Sequence, residues 1–288
     1  MTKNKLNNLD VKQWMKDTKS WRPSEASVRD EFSKTHPATF NPKDIERLIR
    51  FFTAENARVL DPFGGVGSTM MACAASGRWG TQVELYRDHH RTARRRVKHH
   101  FGASILHQQR FIRGNALKWL PIMSGIDFDL VITSPPYFNM MKRGNPQIKR
   151  KKHEKVRIYG RNRADLGNND SYSGFLVSFW EIMRECYPLV KPGGHVVVIV
   201  RDFRIGPRYH TFHYDVIKRL ERAGFLCKGV QILTHNDIPI RPYGLGSAFV
   251  PNIHHDYVLV HRKEEDPSIH QQATIASNTN FVLPPPLE

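Results

Sequence analysis

A short apolar run that ends in two prolines constrains this chain more than any other feature. It reads Asp129-Leu130-Val131-Ile132-Thr133-Ser134-Pro135-Pro136-Tyr137. Leu130, Val131 and Ile132 are continuous rather than alternating, the pattern of a strand covered on both faces. Neither proline can donate to a ladder, so strand pairing stops at Ser134, and their fixed φ stiffens the backbone beyond it. The product is a rigid shelf at the carboxyl end of a buried strand. It carries a hydroxyl, exposed carbonyls and an aromatic ring. Open α/β sheets bind their ligands at the carboxyl ends of strands. Taken alone, the stretch is equally well a strand followed by a proline turn, so its meaning depends on the rest of the chain.

Upstream, Arg58-Val59-Leu60-Asp61-Pro62-Phe63-Gly64-Gly65-Val66-Gly67-Ser68-Thr69 reads as a strand, a glycine-rich turn and a helix start. Glycines allow close backbone approach to a ligand, and the helix N-terminus presents free N–H groups. The turn has no lysine before Ser68-Thr69, which excludes a P-loop. Gly65-x-Gly67 is followed by Met70 where a dinucleotide fingerprint has its third glycine. Asp61 at the strand end would repel a phosphate, so the turn suits a ligand with a cationic or hydroxylated part. The next strand, Gly80 to Leu85, carries Glu84, about 20 residues beyond the glycine turn, where a carboxylate is placed to bind ribose hydroxyls. The helix after it holds Arg87, Arg91, Arg94, Arg95, Arg96 and Lys98, read as a solvated face. A third strand, Arg110 to Arg113, leads through Gly114 to Asn115, a polar group within reach of an adenine ring.

The remaining segments keep the same α/β rhythm. Pro42 opens a helix capped by Asn41, with Ile45, Leu48, Ile49 and Phe52 on one face. Phe175 to Val190 reads as a helix stopped by Lys191-Pro192-Gly193-Gly194, and His195 to Val200 as a buried strand. Tyr214 to Ala223 is a helix closed by Gly224. Phe225 to Leu233 and Asp256 to His261 are the last strands, joined by a Pro/Gly-rich loop over 235–255. Residues 1–35 read as a polar, irregular extension with Trp14 and Trp21 as docking anchors, 36–262 as one domain, and 263–288 as a disordered tail.

The 288 residues carry a net charge of +17 and a pI near 10.0, which implies a polyanionic partner, most often nucleic acid. The charge is concentrated in 138–172, an insert directly after the proline shelf. It includes Lys149, Arg150, Lys151, Lys152, Arg157, Arg161 and Arg163, expected to contact phosphates. The three cysteines have no Cys-x-x-Cys pairing, and the fifteen histidines show no metal-binding motif, so neither disulfide nor metal is expected. No signal peptide or membrane span is read, and a cytoplasmic location is expected, nucleoid-associated if the source is prokaryotic.

Together these residues resemble the DNA amino-methyltransferases, over roughly 36–262. His36-Pro37-Ala38-Thr39-Phe40 is similar to the family's segment before the first sheet strand, Asp61 to Thr69 to its cofactor loop, Glu84 to its ribose-binding acid, and Thr133 to Tyr137 to its catalytic motif. The resemblance implies a Rossmann-like fold, a mostly parallel seven-stranded sheet with an antiparallel last strand. It implies S-adenosylmethionine as cofactor, held by Pro37, Thr39, Asp61, Phe63, Gly64, Gly65, Gly67, Ser68, Thr69, Glu84, Asn115 and Thr133. The catalytic residues would be Ser134, Pro135, Pro136 and Tyr137. Double-stranded DNA with one base flipped out would be the substrate, and a restriction endonuclease a partner, with the enzyme a monomer or dimer. Three features depart from the pattern. The cofactor loop precedes the catalytic motif, a circularly permuted order. Asn115 stands where an acid is more common. There is no large separate region for reading the target site.

On this analogy Ser134 and the Pro135 carbonyl accept the amino hydrogens of the base, Pro136 fixes the shelf and Tyr137 stacks on the base. No cysteine lies in a Pro-Cys context, which argues against attack at ring carbon 5. Serine at position 134 points to cytosine N4, with adenine N6 the alternative, since adenine enzymes more often carry Asp there. A non-catalytic basic binding module is a further alternative, disfavoured by the intact glycine loop and shelf.

Overall fold

The computed structural model describes residues 4, 6–25, 30–36, 39–138, 162–266 and 268–269. Helices α1 (Val11–Asp17), α2 (Pro42–Phe52), α3 (Ser68–Ser76), α4 (Arg87–Phe101), α5 (Ala116–Trp119), α6 (Tyr172–Cys186) and α7 (Phe212–Arg222) surround one large sheet. Its strands are β1 (Trp21–Pro23), β2 (Arg58–Asp61), β3 (Trp79–Glu84), β4 (Gln109–Arg113), β5 (Phe128–Thr133), β6 (Val190–Val200), β9 (Leu226–Thr234) and β10 (His255–Arg262). A separate hairpin pairs β7 (Phe203–Ile205) with β8 (Arg208–His210).

The sheet order is β1-β9-β10-β6-β5-β2-β3-β4. Every neighbouring pair is parallel except those made by β10, which runs antiparallel to both β6 and β9. The expected Rossmann-like arrangement is therefore present, with one addition. Residues 21–23 pair with 232–234 in parallel, so the sheet has eight strands rather than seven. The N-terminal stretch is thus not wholly irregular. Trp14 packs its ring 4.8 Å from Phe51, as a docking anchor should. Trp21 is 59% exposed and contributes backbone pairing instead.

The apolar run of β5 divides as a doubly covered strand must. Val131 joins the core under α5, α6 and α7, with Phe175, Phe179 and Phe212. Leu130 and Ile132 face the opposite core, with Ile45, Leu48, Ile49 and Phe52 of α2. β6 alternates in the same way, Val196, Val198 and Val200 on one face, Val197 and Ile199 on the other. Asn41 caps α2 as its sequence requires, its Oδ1 accepting from Lys43 N at 3.1 Å.

Three local expectations need correction. The helix expected over 175–190 is α6, Tyr172–Cys186, capped by Ser171 and closed by a 3₁₀ turn over Tyr187–Leu189. Pro188 lies in that turn and cannot supply an α-helical N–H. Lys191–Gly194 is not a free stop; it belongs to β6, and Gly193 N donates to Lys263 O at 2.7 Å while Lys263 N donates to Gly194 O at 2.9 Å. The arginines of α4 are not all solvated. Arg96 is 3% exposed, and its helical spacing from Ala93 and Val97, both buried, is the signal that places it inward. Among the described residues no helix is long and apolar enough to cross a membrane.

Candidate active site

The carboxyl ends of β2, β3 and β5 open into a cleft of about 1030 Å³, counting its open mouth. The glycine loop apart from Gly67, Glu84, Asn115 and the Ser134–Tyr137 shelf line it, with His36, Thr39, Tyr86, His89 and Asp165.

At its base lies Asp61, 5% exposed. Its Oδ1 accepts from Thr133 Oγ1 at 2.6 Å and from Phe63 N at 3.0 Å, and its Oδ2 accepts from Thr69 Oγ1 at 2.6 Å. One carboxylate therefore ties the end of β2 to the end of β5, the start of the glycine turn and the first turn of α3. Burial pushes the Asp61 carboxyl above the ordinary carboxylate range, and the hydrogen bonds from Thr133, Thr69 and Phe63 oppose that rise. Thr69 and Thr133, expected to touch the cofactor, line the cleft and also hold this knot. Ser68 is similarly occupied, donating to Phe40 O at 2.9 Å.

Gly67 takes φ +81, and a Cβ there would meet Ala93 Cβ at 2.9 Å, so its place is set by the α3–α4 approach as well as by the turn. Gly65 takes φ +49 and faces His36 across the cleft; a Cβ would come 3.4 Å from the His36 Nε2. Gly65 N donates to Glu84 Oε2 at 2.8 Å, and Tyr86 N donates to Glu84 Oε1 at 2.7 Å. Each carboxylate oxygen keeps a further lone pair for a ligand hydroxyl. Asn115 lines the cleft while its Oδ1 accepts from Leu117 N at 3.0 Å, which makes it the N-cap of α5. Phe63 packs beside the core, its ring 6.5 Å from that of Phe179.

On the shelf, Pro135 is buried and Ser134, Pro136 and Tyr137 are half-buried. Among the described residues Ser134 Oγ has no hydrogen-bond partner, although its neighbour Thr133 is fully engaged. Tyr137 lies 6.3 Å from Phe212, centroid to centroid. Of the remaining expected positions, Pro37, Lys149, Arg150, Lys151, Lys152, Arg157 and Arg161 lie outside the described residues, and Arg163 is exposed.

Five contributors are not among the site residues read from the sequence. Tyr86 OH donates to Asp165 Oδ2 at 2.7 Å, joining the carboxyl end of β3 to the described, C-terminal part of the basic insert. Asp165 is itself 6% exposed, and its Oδ1 accepts from Gly167 N at 2.9 Å. His36 and His89 stack edge to face at 4.7 Å over the glycine loop. Arg96 braces that loop from behind, donating from Nε to Asp30 Oδ2 at 2.7 Å and from Nη1 to Val66 O and Ser68 Oγ, each at 3.3 Å. Apart from His36, which opens the His36–Phe40 segment, no short motif marks these, because each acts through a partner distant in sequence.

A doubly wound sheet with an acid-ended glycine turn, a second acid at the next strand end and a Ser-Pro-Pro-Tyr shelf defines a methyltransferase of Rossmann-like fold. The family model described as DNA methylase matches residues 2–95 and 128–280, and the chain belongs to that family of S-adenosylmethionine-dependent enzymes. The methylase YubD of Escherichia coli (strain K12) is 40% identical over 65 residues, which is 23% of this chain and 29% of YubD. Among solved structures, TrmN from Thermus thermophilus is 20% identical, with a TM-score of 0.48 over 81% of this chain and 52% of TrmN. The DNA modification methylase TTHA0409, also from Thermus thermophilus and complexed with S-adenosylmethionine, is 24% identical, with a TM-score of 0.36 over 52% of this chain and 54% of that one. The chain thus spans about half the length of these solved proteins and less of YubD.

The cleft fits S-adenosylmethionine. Glu84 retains acceptor capacity for ribose hydroxyls, and Gly65, at φ +49, presents bare backbone to the cleft. The partly apolar walls from Phe63, Val83 and Ala116 suit an adenine ring.

Proposed function

We propose that this chain methylates the exocyclic N4 amine of cytosine in double-stranded DNA, acting on a base turned out of the duplex. The observation that carries the reading is the Ser134 hydroxyl, unpartnered among the described residues, on a proline-stiffened shelf that borders the cofactor cleft. When bound, S-adenosylmethionine supplies a methyl group activated by a sulfonium.

The chain's own residues have to position and polarise the acceptor. The lone pair of an aromatic amine is delocalised into its ring, so the nitrogen is a weak nucleophile until its N–H bonds are drawn out of conjugation. Ser134 Oγ and the Pro135 carbonyl accept those two hydrogens, which aims the lone pair and stabilises the positive charge that develops on nitrogen. Pro136 keeps the two acceptors in register. Tyr137 stacks on the flipped ring. The nitrogen would gain the methyl group as the methyl–sulfur bond breaks to leave a neutral thioether, and one amino proton would pass to solvent. The Asp61–Thr133 tie fixes the shelf relative to the glycine loop, and so fixes acceptor relative to donor. Lys149 to Lys152, with Arg157, Arg161 and Arg163, contact the phosphates of the duplex.

Radiolabelled methyl transfer to duplex DNA, followed by nucleoside analysis, tests the reading. N4-methylcytosine is expected. N6-methyladenine would transfer the same clamp to the adenine amine, and labelled DNA with neither product would overturn amine methylation.

A further inference from the structure

The loop that joins β9 to β10 lies on the same sheet edge as the catalytic shelf. β9 runs in the direction of β5 and β6, so its carboxyl end and the residues after it emerge beside Ser134–Tyr137. β10 and β9 are two and three strands from β5, which puts the loop's roots roughly 10–14 Å from the shelf at the usual strand spacing.

Those roots are held firmly. His235 Nε2 lies 2.6 Å from Asp256 Oδ2, and Arg201 donates from Nε to Asp256 Oδ1 at 2.7 Å and from Nη2 to Oδ2 at 3.0 Å. Higher up, Arg241 N donates to Asn252 Oδ1 at 2.8 Å, and Asn252 Nδ2 returns a bond to Arg241 O at 2.8 Å. This reciprocal pair closes a neck. Within it, Ser247 N and Ala248 N both donate to Gly244 O, at 3.0 and 2.9 Å.

A loop folded on itself in this way could have tucked in its apolar side chains. It does the reverse: Ile240 is 80% exposed, Leu245 83% and Phe249 90%. Single exposed apolar residues need no explanation, but three on one pinned loop mark a contact surface. The surroundings identify what it contacts. Arg241 on the loop, Arg208 on the β7–β8 hairpin and Arg163 beside the cleft are exposed on this edge, and Asp237 is the only acid between 235 and 255. Cations around an apolar tip suit a polyanion with an apolar interior, which is a duplex whose stack has been opened.

We propose that this loop is a wedge, with Phe249 and its neighbour Leu245 entering the base stack to fill the gap left by the flipped target. The inference rests on the proposed methylation of a base in duplex DNA. A flipped base leaves two neighbours unstacked, and an inserted apolar side chain compensates that loss. The chemistry on the amine needs no contact from this loop, so its contribution is confined to opening the pair.

The test uses the full-length protein and two duplexes that carry its methylation site, identified by sequencing DNA it has modified. In one the target base is normally paired; in the other it faces an abasic position. The double variant Leu245→Ser, Phe249→Ser is expected to lose about 10–100-fold in kcat/KM on the paired duplex and to stay within about twofold of wild type on the abasic one. Equal loss on both duplexes overturns the wedge. So does no loss on either, the result expected if these side chains cover a protein partner. A wild-type chain that methylates no DNA at all refutes the methylation reading, and the wedge falls with it.

Discussion

Replacing Thr133 by valine removes one hydroxyl and leaves the side-chain volume nearly unchanged. Thr133 is 2% exposed, and its Oγ1 donates at 2.6 Å to a carboxylate that is itself buried. A hydrogen bond to a charged group contributes about 1.5–3 kcal/mol, and its removal leaves Asp61 with two donors, Thr69 Oγ1 and Phe63 N. For a chain of this size each kcal/mol lowers the unfolding midpoint by about 2–4 °C, so a fall of roughly 3–12 °C is expected where Asp61 is charged. The pH dependence sharpens the test. The Asp61 carboxyl sits above its ordinary range because it is buried, and the Thr133 hydroxyl opposes that rise by favouring the charged form. The variant's folded-state pKa is therefore higher still. A group raised on folding contributes stability that is fully present below its unfolded pKa and is lost as pH rises through its folded pKa. The deficit of Thr133→Val relative to wild type is accordingly largest on the alkaline side of the folded-state pKa, where Asp61 is charged, and shrinks on acidification. Thermal unfolding followed by circular dichroism from pH 7 to pH 5 measures it. A midpoint within about 1 °C of wild type at pH 7, or a deficit that does not shrink with acid, would refute the role given to this tie.

Ser134→Ala should abolish methyl transfer while S-adenosylhomocysteine still binds in calorimetry; turnover at the wild-type rate would exclude Ser134 as an acceptor. Tyr86→Phe deletes the donor to Asp165 Oδ2 and should weaken cofactor binding by about tenfold, or about 1.4 kcal/mol, by freeing the segment that borders the cleft. An unchanged Kd would show that the link is structural alone. Acid should destabilise the β6–β10 pair. Burial holds His195 and His261 down to about 4, so both stay neutral in the fold while the unfolded chain protonates near 6.5. Their contribution is complete above about pH 6.5 and is lost as pH falls toward 4, by up to about 3 kcal/mol each. Urea midpoints that stay level from pH 7 to pH 4.5 would contradict it.

Those residues show what kind of information the sequence holds. The apolar run of β5, the Asn41 cap and the spacing of Glu84 from the glycine turn are local patterns, and each produces the element it predicts. Strand β1 is not visible in the sequence, because three residues with one proline have no period to read. Arg96 reads as surface because the charge density of its helix outweighs its place on the Ala93–Val97 stripe. Asp165 and His89 escape notice for a different reason. They matter only through Tyr86 and His36, which lie far from them along the chain or across a turn, and pairing between distant side chains leaves no mark in a single sequence.

The same distinction explains why the order of the motifs does not matter to the chemistry. Along the chain, Asp61 and Thr133 are 72 residues apart. In the sheet they are neighbours, because β2 pairs with β5 through Val59 with Leu130 and Leu60 with Val131, and each strand ends in one half of the tie. What must be preserved is the adjacency of these two strands at their carboxyl ends. A chain that ran through the shelf first and the glycine loop later would place the same carboxylate against the same hydroxyl, provided that both strands stayed parallel and adjacent. The order of the motifs is then a matter of where the termini and the long connections fall. Here the connection after β5 carries the basic insert directly from the shelf, so the segment with the densest positive charge begins at residue 138, immediately after Tyr137 and the prolines that fix the proposed methyl acceptor's site.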